Sequence, residues 1–422
     1  MYRRNFLKAN NTIQNYGAKD QLISTERLPE FFDLEVNAND VLRSSKLAVI
    51  GAGSIGLEIL QKATRLNIGE ILVVDKGNFS PENKFTHTIT YKEACSGKPK
   101  AKSAAMYCSS IGTATQCYYF CGPVEDLGQS DLFDVDVVIL CTDNLAAEIE
   151  VSNRCMHLGL PLIQCSVHGE SLFAQIRFFS NVDHNSPCIY CTYGKQEINQ
   201  LNNDTSFSCS GAIDGHQIME VSETPTMSTA FLCSLAADLG MTLVTRHLLK
   251  LGTTLKNSQI QYCGYTNKMI ETTLRKSDKC PCDHNPWDIR VISGPLMNST
   301  LRDLSLSSGL AKEGDLSNLS FAINKMHFVE LGICKCAGMR PIRQFHLKNN
   351  KVGKCRKCNS SIQAHPFFSF SDVPIKTIKG HLDKPLHSIG VRKEVDSLLI
   401  RHDEKEVLFC ESECNQTYEM KG

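Results

Sequence analysis

The sequence predicts an α/β protein built on a doubly wound, mostly parallel sheet, with a smaller cysteine-rich region behind it. Three observations predict this. KLAVIGAGSIG is an apolar run that ends in a glycine-rich turn. LEILQKATRLNI has helical periodicity and leads into a second buried run, EILVVD, which completes a strand–turn–helix–strand unit of about 30 residues. DVDVVILCTDN and LPLIQCSVHG repeat the pattern around the helical segment LAAEIEVSNRCMHLG. Continuous apolar strands alternating with helices read as a parallel sheet covered on both faces.

The remaining elements follow in order. Residues 1–45 form an N-terminal arm, polar at first and then helical in pattern (LPEFFDLEVNANDVLRSS). Residues 46–290 form the main domain. In it SLFAQIRFF alternates like a strand that has left the parallel sheet, and SQIQYCGY with MIETTLRK reads as a hairpin. Residues 192–225 are rich in Asn, Ser, Thr and Gly and form a crossover loop too long for a simple connection. TMSTAFLCSLAADLGMTLVTRHLLK is a long apolar helix that opens on Ser/Thr cap candidates. Residues 291–422 have looser composition and their own cysteine pairs, and they form a third region.

Composition excludes several classes. The 422 residues carry 45 Lys+Arg and 45 Asp+Glu, a formal net charge of zero that argues against a nucleic-acid binder as a whole. No apolar run reaches the length of a membrane span, and MYRRNFLKANNTIQNYG lacks the apolar core of a secretory signal. A cytoplasmic protein without a membrane or nucleic-acid partner is expected. Twenty cysteines in such a chain read as metal ligands, reactive thiols or small core residues rather than as disulfides.

Gly51, Gly53 and Gly56 make a G-x-G-x-x-G turn between strand and helix, the Rossmann-like arrangement. Such a turn brings backbone N–H groups and a helix N-terminus to a phosphate. Asp75 ends the second strand, where its carboxylate can accept bonds from ribose hydroxyls. These features fit a nucleotide enzyme of any kind, a NAD-dependent oxidoreductase included.

The residues after Asp75 narrow the choice. SPENKFTHTITYKEACSGKPKAKSAA and then CTDN resemble, in order and spacing, the ThiF/MoeB/E1 superfamily, which activates ubiquitin-like proteins and sulfur carriers. The resemblance covers about residues 20–285. It places Asn83 on the family asparagine, Lys100 on the lysine that contacts ATP phosphates and Asp143 on the Mg²⁺- and ATP-linked aspartate. An oxidoreductase has no use for GKPK or CTDN. Thr86 stands where the family has arginine, and His87 matches the Gln/His position beside it. Either Lys84, His87 or an arginine from elsewhere, such as Arg27, replaces that charge, or adenylation is weak.

The cysteine pairs add metal chemistry. PCIYC supplies Cys188 and Cys191, and KCPCDH supplies Cys280 and Cys282. Members of the superfamily hold a structural zinc with two such pairs at these places, and four thiolates suit tetrahedral Zn²⁺. The second pair is one residue short, and His284 is an alternative ligand. ICKCAGM and GKCRKCN give Cys334, Cys336, Cys355 and Cys358, a zinc-ribbon spacing with 18 residues between the pairs. Cys410 and Cys414 have nothing to complete a third site.

SFSCSGAIDG places Cys209 in the polar crossover loop, where E1-like proteins carry the cysteine that takes the activated protein from AMP. Cys233, inside the apolar helix pattern, is the weaker candidate. The resemblance therefore implies an enzyme that uses ATP, Mg²⁺ and structural Zn²⁺. It would activate a ubiquitin-like protein, pass it to an E2-like protein and work as a homodimer, as in bacterial antiphage conjugation operons. Sulfur-carrier activation is the alternative within the family, and a zinc-stabilised scaffold with weakened catalysis is the alternative outside enzymes.

Overall fold

The computed structural model describes residues 14–16, 37–88, 92, 96–111, 113–128, 130–199, 201, 228–323, 326–336, 338–347, 351–393, 395, 397–403 and 405–411. The chain folds as two units. Among the described residues, the larger lies within 14–127 and 134–286, and the smaller takes 287–411 with residues 128 and 130–133.

The larger unit is one nine-stranded sheet. Its strands are β1 (Gln14–Tyr16), β2 (Lys46–Ile50), β3 (Glu70–Asp75), β4 (Gln116–Cys121), β5 (Val137–Leu140), β6 (Leu162–His168), β7 (Phe173–Phe179), β8 (Ser258–Cys263) and β9 (Lys268–Thr273). They lie in the order β1-β4-β3-β2-β5-β6-β7-β8-β9. Strands β4, β3, β2, β5 and β6 are parallel neighbours. The turn at Gly169–Leu172 reverses the chain, so β7, β8 and β9 continue the sheet antiparallel, as the alternation in SLFAQIRFF predicts. From β2 the chain winds outward through β3 and β4, then returns to β5 on the other side of β2. The crevice between the ends of β2 and β5 is therefore the point where a doubly wound sheet binds its ligand.

Helices α1 (Ala38–Ser44), α2 (Ser54–Arg65), α3 (Lys100–Ser110), α4 (Leu145–Leu158) and α5 (Ala230–Leu249) belong to this unit. Residues of α2, α3 and α5 pack on Leu47, Val49, Ile71, Val73, Val137, Ile139 and Ile163 in one core. The parallel strands alternate between that core and the opposite face, and both faces are buried, which explains their unbroken apolar runs. Asn144 opens α4 by accepting a bond from the Ala147 N–H, and Gly159 closes it in the left-handed conformation. Of the helical pattern read over the arm, α1 falls within the described residues.

The smaller unit holds α6 (Leu301–Ser308) and two sheets. One is β10 (Asp288–Ile292), β19 (Lys405–Glu411), β18 (Ser397–His402), β11 (Ser320–Ile323) and β17 (Asp372–Pro374), in that order. The other is a ribbon of β13 (Gly338–Leu347), β12 (Met326–Cys334), β15 (Ser361–Ala364) and β14 (Lys351–Lys354), with β16 (Ser369–Phe370) also on β12. Cys410 is buried in β19, and Cys414 lies outside the described residues. No helix among the described residues is long and apolar enough to cross a membrane.

Candidate nucleotide site and metal centres

The glycine turn is forced by its neighbours. Gly51 has φ +97°, and a Cβ there would stand 2.7 Å from the Cys141 carbonyl oxygen at the end of β5. A Cβ on Gly56 would stand 1.9 Å from the Gly51 carbonyl oxygen. Both positions exclude a side chain, and α2 can start close against β2 only because they do. Gly53 caps α2 in extended backbone with open space around its Cα. The first N–H groups of a helix have no partner within it and are open to a ligand.

Asp75 ties the turn to the next strand. Its Oδ2 accepts from the Ala52 N–H and its Oδ1 from the Gly77 N–H, each at 2.6 Å. Lys100 is the first residue of α3, and its N–H donates to the Gly77 carbonyl at 2.9 Å. A methyl at Gly77 would lie 3.8 Å from Lys100 Cδ and 3.1 Å from Asp75 Oδ1, so the lysine stem runs beside the carboxylate. No helical period marks GKPKAKSAA in the sequence. In the fold it starts a helix whose N-terminus carries two lysines and no acid, an arrangement that the helix dipole disfavours and that suits an anion.

Asn83 sits in a short helical turn, Pro81–Phe85. Its Oδ1 accepts from the Ser80 N–H at 2.9 Å, and Ser80 caps the turn in return. Its carbonyl oxygen therefore shapes the turn. Among the alternatives to the missing arginine, Lys84 places its Nζ 4.8 Å from the centre of the exposed Phe85 ring. His87 turns inward instead. Its Nδ1 lies 2.9 Å from Thr86 Oγ1 and 3.3 Å from Ser54 Oγ, on the first residue of α2. Its Nε2 is buried and has no hydrogen-bond partner among the described residues. Burial first, and then the positive charge of Lys100, lower its pKa to about 4. Arg27 lies outside the described residues.

Asp143 follows β5 and is exposed. Its charge acts on Glu148 in the first turn of α4. Glu148 itself is 5% exposed, and burial raises its pKa to about 7. The Tyr193 hydroxyl donates to it at 2.8 Å, and Gln164 and Arg177 also favour its charged form. Arg177 in turn donates to Gln259 at 2.7 Å and Gln164 at 3.1 Å, residues directly across from it on β8 and β6. Sequence reasoning misses this polar cluster. The alternation of Gln175 and Arg177 within SLFAQIRFF is its one signal in the sequence.

Two groups of side chains are placed to hold a metal. Cys188, Cys191, Cys280 and His284 bring their ligand atoms within 4.8 Å of one another. The Sγ atoms of Cys188 and Cys191 are 3.7 Å apart, those of Cys188 and Cys280 3.5 Å, and Cys191 Sγ is 3.7 Å from His284 Nε2. A tetrahedron with metal–sulfur bonds of about 2.3 Å has edges of about 3.8 Å, so the set fits. Of the two residues the sequence leaves open for the fourth position, it is His284 whose nitrogen lies within this group, while Cys282 stays beside Cys188 outside it. The imidazole is 4% exposed and anchored by the Ser186 carbonyl, which explains its reach into the set. Ser152 on α4 accepts from the Ile189 N–H at 3.0 Å and fixes the first pair against the sheet domain.

The second group is the expected one. Cys334, Cys336, Cys355 and Cys358 come together at the tip of the ribbon. Their Sγ separations are 3.6 Å for 334–336, 3.5 Å for 334–358 and 3.6 Å for 336–355. Each group has a backbone N–H to sulfur contact of 3.4 Å, from Ser277 to Cys191 and from Lys357 to Cys355. Such contacts orient thiolate ligands. Cys209 lies outside the described residues. Cys233 is buried in the first turn of α5, and burial raises its pKa.

A family model described as the ThiF family matches residues 26–282. Adenylyltransferase and sulfurtransferase MOCS3 of Arabidopsis thaliana is 28% identical over 170 residues, 39% of this chain and 34% of that protein. Adenylyltransferase and sulfurtransferase UBA4 of Lodderomyces elongisporus is 29% identical over 168 residues, 39% of this chain and 35% of that protein. Ubiquitin-like modifier-activating enzyme 5 of Dictyostelium discoideum is 25% identical over 169 residues, 37% of this chain and 43% of that protein. The match thus spans less than half the length of each of these relatives.

Proposed function

The chain belongs to the ThiF family, and from that premise we propose that it adenylates the C-terminal carboxylate of a ubiquitin-like protein with ATP·Mg. The observation that carries this reading is the convergence of the Gly51–Gly56 turn, Asp75 and Lys100 at the crevice where the sheet changes direction. The relatives named as adenylyltransferases and as a modifier-activating enzyme support it.

In the reaction a carboxylate oxygen bonds to the α-phosphorus, the bond from that phosphorus to the bridging oxygen breaks, and pyrophosphate leaves with the electron pair. Negative charge builds on the leaving group, so catalysis is positioning and electrostatics. The N–H groups of the glycine turn and of α2 cradle the phosphates, and Asp75 receives the ribose. Lys100 neutralises the developing charge, and Asn83 places the α-phosphate. Asp143 would hold Mg²⁺, whose charge would offset that of the triphosphate. His87 supports a working site despite Thr86. Its buried Nε2 points away from the hydroxyls beside its Nδ1, and with a pKa of about 4 the neutral ring offers a hydrogen bond there but not the charge of the arginine.

The activated protein then passes to the Cys209 thiolate with release of AMP, and from there to an E2-like cysteine. We assign structural zinc to both ligand groups and a homodimer to the adenylation domain. Transfer to sulfur for a carrier protein is the second reading, and the two relatives named as sulfurtransferases favour it.

Carrier-dependent exchange of pyrophosphate into ATP tests the proposal. Exchange is expected in the wild type and is lost in Lys100→Ala and Asp143→Ala. No exchange with any ubiquitin-like or sulfur-carrier protein would leave the scaffold reading. Full exchange in both variants would refute these two residue roles.

A further inference from the structure

Charge is distributed very unevenly along this neutral chain. Between residues 331 and 371 there are eight Lys/Arg and no Asp or Glu, in a protein that has 45 of each. The neutrality that reads against nucleic-acid binding averages over this segment. It is the ribbon: β13, β14, β15, the end of β12, and the two cysteine knuckles that carry Lys335, Arg356 and Lys357. Lys335, Arg343, Lys354, Arg356 and Lys357 are exposed and Arg340 is half-buried. Among the described residues none of the six is in an ion pair.

Apolar and aromatic groups are exposed on the same ribbon. Ile333 and Met339 face each other across β12 and β13, and both are exposed. Beyond β15 the short turn Pro366–Phe368 presents Phe367, 83% exposed, and Phe368. That turn is held in place. The His365 N–H donates to the Leu331 carbonyl at 2.9 Å, and His365 Nδ1 accepts from the Phe367 N–H at 3.2 Å. The imidazole lies against both rings, with centroids 5.9 and 5.0 Å away. On the far side, Phe370 of β16 pairs with Phe328 of β12. Two solvent-facing rings fixed at both ends of their turn, on the ribbon that carries the unpaired cations, lose little freedom when a planar group stacks on them.

We propose that the ribbon binds single-stranded nucleic acid. The cations take phosphates, and Phe367 and Phe368 stack on bases. An acidic protein would satisfy the cations but would leave the fixed rings unexplained. A duplex would hide the base faces that those rings fit.

The test is anisotropy of fluorescein-labelled (dT)20 with the full chain, from 50 to 200 mM salt. Binding is expected, with a log K against log salt slope of about −2 to −4, since each neutralised phosphate on a single strand contributes about −0.7. Arg356→Gln/Lys357→Gln should flatten that slope, and Phe367→Ala/Phe368→Ala should weaken binding about fivefold or more with the slope kept. Bound zinc and the unfolding temperature, unchanged in both variants, show that the ribbon has stayed folded. Absence of binding at 50 mM salt overturns the proposal. So does poly-glutamate competing as well as (dT)20 at equal charge, which would mark an acidic-protein surface. Full affinity in the phenylalanine variant would overturn the stacking role.

Discussion

His284 Nδ1 lies 2.8 Å from the carbonyl oxygen of Ser186. A carbonyl only accepts, so Nδ1 carries the proton and Nε2 keeps its lone pair toward Cys188, Cys191 and Cys280. The backbone before PCIYC therefore aims that lone pair at the three thiols.

The first prediction concerns the fourth ligand. Elemental analysis should find two zinc ions per chain. His284→Ala should lower this to about one and destabilise the protein, because structural zinc adds folding free energy. Cys282→Ala should keep both ions. Zinc lost from Cys282→Ala and kept in His284→Ala would restore the four-cysteine set.

The second concerns His87. Asparagine imitates Nδ1 and keeps the contact to Thr86 and Ser54, whereas glutamine extends a donor to the place of Nε2. If Nε2 serves the phosphates, His87→Asn should weaken ATP·Mg binding about tenfold or more and His87→Gln much less. The reverse order would mean that His87 only braces the turn. Calorimetry with ATP·Mg reads this without a carrier protein.

The third is a pH dependence. Glu148 has a folded pKa of about 7 against an ordinary 4.5, so the folded protein binds the extra proton between these values. Stability should be fullest below about pH 4.5 with respect to this group and fall as pH rises through 7, by roughly 3 kcal/mol in all. Glu148→Gln should remove that slope from the melting temperature measured between pH 5 and 8. An unchanged slope would show that another group titrates there.

The fourth concerns Cys209. Cys209→Ser should keep pyrophosphate exchange and lose the reductant-sensitive adduct with the carrier. An adduct that survives Cys209→Ala would move the nucleophile elsewhere, with Cys233 next, although its burial disfavours the thiolate.

The sheet is legible in the sequence because its parallel strands are buried on both faces and α2 between the first two of them keeps a clear helical period. Even the reversal at β7 can be read, since FAQIRFF alternates where the parallel strands do not. The ribbon cysteines can be read from spacing alone. The other features depend on distant parts of the chain. His284 is turned toward the three thiols by a carbonyl 98 residues away in sequence. Glu148 meets Arg177 and Tyr193 through three separate segments, and no local pattern records such a meeting. Helix α3 begins on lysines that its own dipole disfavours and carries no clear amphipathic period, so the pattern of its residues hides it. The smaller unit is made of strands as short as two residues, below the length at which periodicity carries a signal.

The first cysteine group also has a topological meaning. Cys191 and Cys280 enclose nearly ninety residues of chain, including the whole crossover segment, α5, β8 and β9. A metal held by both ends would make this stretch a closed ring, and a protease cut inside it would open the ring without freeing an end. Nicked protein should then run as one particle on a sizing column, and a chelator should loosen it there before it loosens the uncut chain.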